Sequence, residues 1–246
     1  MNAMILAAGR GTRLGSVGLA TPKVLVTVAG ETLLERQLRY LSAQGCDRVV
    51  VNAHHLADQI EAFAAAHRGP PEIEIVKEDV LLGTAGGVRN ALAIIGSDPF
   101  LVLYGDVLID ESLDYMVASH ARTRADATLA LYTETDTEGK GVVELDEDGR
   151  VRSFVEKGGY RAGEAALINA GVYVLSREFV ERTTPERAET DFGHDVWPAA
   201  IAAGRRLFGH VLAGSVIDVG TPTGLKLARA RLEGSGSVRE SAGPDA

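Results

Sequence analysis

Short apolar runs alternate with longer amphipathic stretches through the first half of the chain. Residues 4–6, 48–51, 73–76 and 100–103 have the length and apolar character of strands buried on both faces. Between the first two, residues 32–43 place Leu33, Leu34, Leu38 and Leu41 at helical spacing, and Thr32 with Glu35 has the form of a capping box. Residues 56–66 and 84–95 read as further helices. Strand and helix in alternation predict an α/β domain, a Rossmann-like, mostly parallel sheet with helices on both faces. Ligands of such sheets sit beyond the carboxyl ends of the strands.

After Ala125 the pattern changes. Residues 128–132, 142–145, 151–155 and 172–175 are strand-like with few helices between them, and Asp148-Gly149 supplies a hairpin turn. No Gly/Ser/Pro linker separates the halves, so a small β-rich insertion continuous with the first sheet is expected. A helix over about 193–203, a strand through Val216-Ile217 and a helix over 223–232 complete one domain, 1–232. Residues 233–246 have few apolar positions and are expected to form a disordered tail. There is no hexapeptide repeat and hence no sign of a β-helix domain.

Composition narrows the function. The 246 residues are 46% hydrophobic and 24% charged, as in an ordinary globular protein. A formal charge of -9 argues against a nucleic-acid partner, whose phosphates need basic residues. The lone Cys46 reads as a small buried hydrophobe rather than a disulfide or thiolate metal ligand. No signal peptide or membrane span is evident, and the expected location is cytoplasmic.

The most telling stretch follows the first strand. In Leu6-Ala7-Ala8-Gly9-Arg10-Gly11-Thr12-Arg13-Leu14-Gly15, small residues let backbone N–H groups close on phosphates, and Arg13 and Lys23 of Thr21-Pro22-Lys23 add positive charge. No Gly-Lys-Ser/Thr follows, which excludes a Walker A loop. The dinucleotide fingerprint fails as well, since Gly9-x-Gly11-x-x reaches Leu14 and misses Gly15 by one residue.

With these residues stand Leu82-Gly83-Thr84-Ala85-Gly86-Gly87, Tyr104-Gly105-Asp106, Val155-Glu156-Lys157, Asn169-Ala170-Gly171-Val172-Tyr173 and Ile217-Asp218-Val219-Gly220-Thr221-Pro222. In this order, from residue 1 to about 231, the chain resembles the sugar-1-phosphate nucleotidylyltransferases. The resemblance implies the nucleotide-diphospho-sugar transferase fold and attack of a sugar 1-phosphate on the α-phosphorus of a nucleoside triphosphate, with pyrophosphate leaving. Asp106 and Asp218 match the carboxylates that hold Mg²⁺, an ion that takes one or two protein carboxylates and leaves positions for phosphate and water. Arg13 matches the group on the leaving pyrophosphate, and Lys23 one on the α-phosphate or the incoming phosphate.

Leu6, Ala8, Gly9, Gly11, Thr12, Arg13, Gly83, Thr84 and Asp106 fall in the implied nucleotide site, with Glu78 at the base. A carboxylate there can accept both guanine N1–H and the N2 amino group, which favours GTP. Gly141, Glu156, Lys157 and Asn169 match the sugar-phosphate side. Thr84 also has the form of a helix cap.

The donor and the sugar stay open. Leu-Gly-Thr-Ala-Gly resembles mannose-1-phosphate guanylyltransferases, and residues 191–198, Asp-Phe-Gly-His-Asp-Val-Trp-Pro, resemble those for heptose 1-phosphate. Asn52-Ala53-His54-His55-Leu56 resembles uridylyltransferases acting on N-acetylmuramate 1-phosphate. The alternatives are uridylyl, thymidylyl or cytidylyl transfer to another sugar or alcohol phosphate, or a non-catalytic subunit that binds nucleotide sugar. A homodimer is the family expectation. His54-His55 reads as a loop after a strand. Residues 191–195 read as the start of a helix carrying Trp197 into the core, with no part in catalysis.

Overall fold

The computed structural model describes residues 1–156 and 163–236. Strands β1 (Ala3–Leu6), β4 (Arg48–Ala53), β5 (Glu72–Lys77) and β6 (Phe100–Tyr104) form a parallel core in the order β6-β1-β4-β5. The ribbon β2 (Thr27–Val28) and β3 (Glu31–Thr32) lies apart from it. Helices α1 (Ser16–Ala20), α2 (Leu33–Ala43), α3 (Ala57–Ala66) and α4 (Gly83–Ile95) connect these strands. The expected capping box of α2 is present: Thr32 Oγ1 accepts from the Glu35 N–H at 3.2 Å and Glu35 Oε2 from the Thr32 N–H at 2.8 Å.

Beyond β6 come β7 (Val107–Ile109), α5 (Asp114–Thr123) and then the expected strands, β8 (Ala127–Glu134), β9 (Gly141–Leu145), β10 (Val151–Glu156) and β11 (Ala166–Leu175). β9 and β10 form the hairpin turned by Asp148-Gly149. β11 is longer than its apolar run suggests and joins the halves, pairing antiparallel with β6 at one end and with β9 at the other, and with β8 along its other edge. The mostly parallel central sheet therefore continues into the β-rich insertion, and among the described residues nine strands form one sheet.

The chain then runs through α6 (Arg177–Thr183), α7 (Trp197–Ala202), β12 (Leu207–Val211), β13 (Val216–Asp218) and α8 (Pro222–Gly236). The helix expected from Gly193 begins as a π-helical turn, Phe192–Val196, and α8 runs four residues beyond the expected Leu232. Residues 237–246 of the expected tail lie outside the described residues.

Two apolar layers flank the sheet. One gathers Trp197, Tyr173, Phe179 and Phe192, with the Phe192 and Trp197 rings stacked 4.9 Å apart. The other packs α2 and α3 residues such as Leu38, Leu41 and Ile60 on Ile5 and Val51, and also buries Cys46. Among the described residues no helix is long and apolar enough to cross a membrane.

Candidate active site

The carboxyl ends of β1, β4 and β6 open into a cleft of about 430 Å³. Leu6, Ala8, Gly9, Gly11, Thr12, Arg13, Lys23, Gly83, Thr84 and Asp106 all line it, so nearly all of the expected nucleotide side comes together. The loop after β1 owes its close turn to glycine. Gly11 has φ +64°, and a Cβ on Gly18 of α1 would run into the Gly11 carbonyl, so the loop and α1 touch backbone to backbone.

Arg13, carried by this loop, converges with Lys23, Asp106 and Asp218. Lys23 Nζ donates to Asp106 Oδ2, and the Arg13 guanidinium lies 3.9 Å from both Asp106 and Asp218. The strands fix the two carboxylates. Asp106 immediately precedes β7, Asp218 ends its antiparallel partner β13, and the Val219 N–H donates to the Asp106 carbonyl at 2.8 Å.

Gln37 of α2 brackets Asp106 from behind, its Nε2 donating to the carbonyls of Tyr104 and Val107 at 2.8 Å each. Asp106 and Lys23 are largely enclosed, whereas 63% of the Arg13 side chain is open to solvent.

A Cβ on Gly220 would lie 2.6 Å from a carboxylate oxygen of each aspartate. The Lys23 ammonium crowds the same point, so only a glycine fits there, and the hard oxygen donors of the two carboxylates are of the kind that suits Mg²⁺. Burial and, after it, the neighbouring Asp106 charge hold the Asp218 carboxyl above the usual range, opposed by the Gly220 N–H at 2.7 Å and by Lys23 and Arg13. A cation between the carboxylates relieves that repulsion.

Two expectations are corrected. Glu78 does not face the cleft. It is buried, its Oε1 accepting from Asn52 Nδ2 at 2.7 Å and its Oε2 from the Leu82 N–H at 3.1 Å, so its carboxylate braces the wall instead of reading a base. Asn52, which does line the cleft, passes this brace to the glycine loop by accepting from the Ala7 N–H at 2.7 Å. Thr84 does not cap α4. The first-turn N–H groups of Ala85 and Gly86 donate to the Thr190 carbonyl at 3.0 and 3.1 Å, and Thr84 Oγ1 instead donates to Asp191 Oδ2 at 2.9 Å.

Of the residues expected on the sugar-phosphate side, Gly141 and Glu156 are register partners of β9 and β10 outside the lining of the cleft, and a Cβ on Gly141 would lie 3.1 Å from Glu156 Oε2. Asn169 turns onto its own strand, donating to the Tyr173 hydroxyl at 2.8 Å and accepting from the Gly171 N–H at 3.2 Å. Burial raises the Tyr104 and Tyr173 hydroxyls well above their ordinary range, so both stay neutral. Lys157 lies outside the described residues.

Residues missed in the sequence are Glu189 and Asp191, both lining the cleft. Asp191 precedes an apolar helix, accepts from the Gly193 N–H at 2.9 Å and receives Asp195 on its own N–H at 2.7 Å. That acid-before-helix pattern is the signal that could have found it.

The profile of the Nucleotidyl transferase family matches residues 2–234. The chain belongs to that family. Over 224 residues, 90% of its length, this nucleotidyl transferase is 34% identical to mannose-1-phosphate guanylyltransferase of Mycobacterium tuberculosis, of which it spans only 62%. It is 35% identical over 242 residues to N-acetylmuramate alpha-1-phosphate uridylyltransferase of Caulobacter vibrioides, covering 94% of this chain and 96% of that one. The crystal structure of HddC from Yersinia pseudotuberculosis, complexed with GMP-PN, superposes with a TM-score of 0.81 at 28% identity, covering 94% of this chain and 99% of that one.

Proposed function

We propose that the chain is a Mg²⁺-dependent sugar-1-phosphate nucleotidylyltransferase that uses GTP and a mannose- or heptose-type sugar 1-phosphate. The observation that carries this reading is the convergence of Arg13, Lys23, Asp106 and Asp218 on one point beside a backbone-lined loop. In the reaction an acceptor phosphate oxygen bonds to the α-phosphorus as the bond to the pyrophosphate oxygen breaks, so two anions must approach and charge accumulates on the leaving group. Arg13, a solvent-exposed guanidinium fork, suits that leaving pyrophosphate, and Lys23 places an enclosed ammonium beside Asp106. Asp106 and Asp218 would hold Mg²⁺, which when bound supplies positive charge against the phosphate oxygens.

The guanylyltransferase relative and the GMP-PN complex of HddC support a guanine donor. Glu189 and Asp191 in the cleft, with Glu156 packed beside Gly193, favour a neutral polyhydroxy sugar over one bearing a carboxylate. The second reading, uridylyl transfer to N-acetylmuramate 1-phosphate, draws on a relative whose whole length the chain matches. Pyrophosphate release from GTP, UTP, dTTP and CTP against mannose, heptose and N-acetylmuramate 1-phosphates separates the two. Highest kcat/KM with GTP and a neutral sugar is expected, a clear UTP preference overturns the donor, and no release with any pair overturns the reaction.

A further inference from the structure

The two sides of the cleft are joined by a compact set of hydrogen bonds. Residues 188–192 run along the loop that opens α4: the Thr190 N–H donates to the Leu82 carbonyl at 2.9 Å, and the Thr190 carbonyl takes the Ala85 and Gly86 N–H groups. To this backbone clip the sequence adds one side-chain pair. Thr84 Oγ1 donates to Asp191 Oδ2 at 2.9 Å and accepts from the Phe192 N–H at 2.8 Å.

Asp191 then faces both ways. Its Oδ2 holds the nucleotide loop, while its Oδ1 accepts from Gly193 at 2.9 Å and fixes the π-helical turn. Gly193 in turn packs on the Glu156 carboxylate, which a Cβ at this position would displace. Gly83 has the same relation to the Thr190 backbone, where a Cβ would lie 2.5 Å from the carbonyl oxygen. The backbone contact at Gly83 has no slack, the carboxylate at Gly193 lies against the turn that Asp191 fixes, and close-packed groups transmit a shift where loose ones absorb it.

We infer that Thr84 and Asp191 are a positioning pair that couples nucleotide binding to acceptor binding, an inference that rests on the nucleotidylyltransferase reading of the cleft. A triphosphate that orders the loop at Gly83 and Thr84 also sets Asp191, Gly193 and Glu156 for the sugar phosphate. By linkage the sugar phosphate sets the loop for the nucleotide to the same degree. The pair touches neither reacting atom; it acts through the loop and the wall.

The test is calorimetric titration of the full chain with mannose 1-phosphate, alone and with a non-hydrolysable GTP analogue, alongside steady-state kinetics. The unmodified protein is expected to bind the sugar phosphate several-fold more tightly when the nucleotide site is filled. Thr84→Val, which keeps the shape without the hydroxyl, and Asp191→Asn are expected to remove that enhancement. Each is expected to lower kcat/KM for both substrates by a similar factor, about tenfold for loss of a bond to a charged group.

Thr84→Ser restores the hydroxyl and is expected to restore the enhancement. Glu186→Gln loosens a tie between the same segments away from the cleft, the 2.8 Å ion pair with Arg89, and is expected to leave the enhancement unchanged. Persistence of the enhancement in Thr84→Val, its absence from the unmodified protein, or a loss of thermal stability with kinetics unchanged would each overturn the pair's role while leaving the reaction standing. Absence of pyrophosphate release from the unmodified protein would instead overturn the reaction.

Discussion

The nucleotide side and the acceptor side of the cleft are built in opposite ways. The proposed nucleotide side is dominated by one local run, residues 6–13 after β1, whose small side chains bring the backbone to the cleft, joined by Gly83, Thr84 and Asp106. The proposed acceptor side would draw on Glu189 and Asp191 of the cleft and on Gly141 and Glu156 beside them, which meet only because β9, β10 and a π-helical turn fold against each other. A contiguous site keeps its chemistry through local geometry. A dispersed one depends on the packing of everything between its parts, so substitutions on the two sides should differ in kind as well as size.

The largest effect belongs to the point where the sides meet. Asp106→Asn and Asp218→Asn are each expected to abolish most turnover with the fold intact, because an amide is a far poorer Mg²⁺ ligand than a carboxylate. Near-normal rates at saturating Mg²⁺ would remove either residue from that role. Arg13→Ala is expected next, with kcat lower by about 10²–10³ as for loss of one preorganised transition-state donor. A change confined to KM would place Arg13 in ground-state binding.

Glu156→Gln sharpens the contrast. Its KM for the sugar phosphate should rise by about tenfold, the scale of one charged hydrogen bond, with the triphosphate KM unchanged. Equal losses for both substrates would put Glu156 outside the acceptor wall. Glu78→Gln should act on stability alone. The new amide keeps one accepting oxygen and turns its NH2 toward the other donor, on Asn52 or Leu82, which costs about 1–3 kcal/mol. Chemical denaturation is expected to show that loss while the ratio of GTP to UTP use stays fixed, and a shifted ratio would return Glu78 to the base.

The smallest effect lies beneath the β-rich half. His120, whose Nδ1 is 2.9 Å from Thr128 Oγ1, is held below its ordinary value of 6.5 by burial, with Asp98 and Asp126 opposing. Its neutral form is favoured in the fold, so this contribution is complete above pH 6.5 and is lost as the pH falls through the lower folded value. Replacing it with Gln should flatten the acid side of the stability profile, and an unchanged slope would assign the loss elsewhere.

Much of this was readable from the sequence because the decisive signals are local. Thr32 and Glu35 sit three residues apart and cap the same turn, and the apolar runs at 48–51 and 100–103 needed no partner to mark them as strands. What escaped depends on distant chain. A glutamate in the right place in sequence looks like a base reader until Asn52 and the Leu82 N–H are seen to claim it. A threonine at a helix start looks like its cap until a carbonyl more than a hundred residues away takes the N–H groups. Strand β12, with Gly209 and His210 between its apolar residues, shows only once β8 is there to receive it.

That carbonyl has an evolutionary consequence. Because α4 is capped by the main chain of Thr190, any side chain tolerated at position 190 leaves the cap in place, and the residue can drift without loosening the nucleotide loop. Chain length is another matter. One residue inserted or deleted between Ala188 and Asp191 would slide the carbonyl off the Ala85 and Gly86 N–H groups and carry Asp191 away from Thr84. In this segment the spacing holds the loop in place more than the side chain at position 190 does.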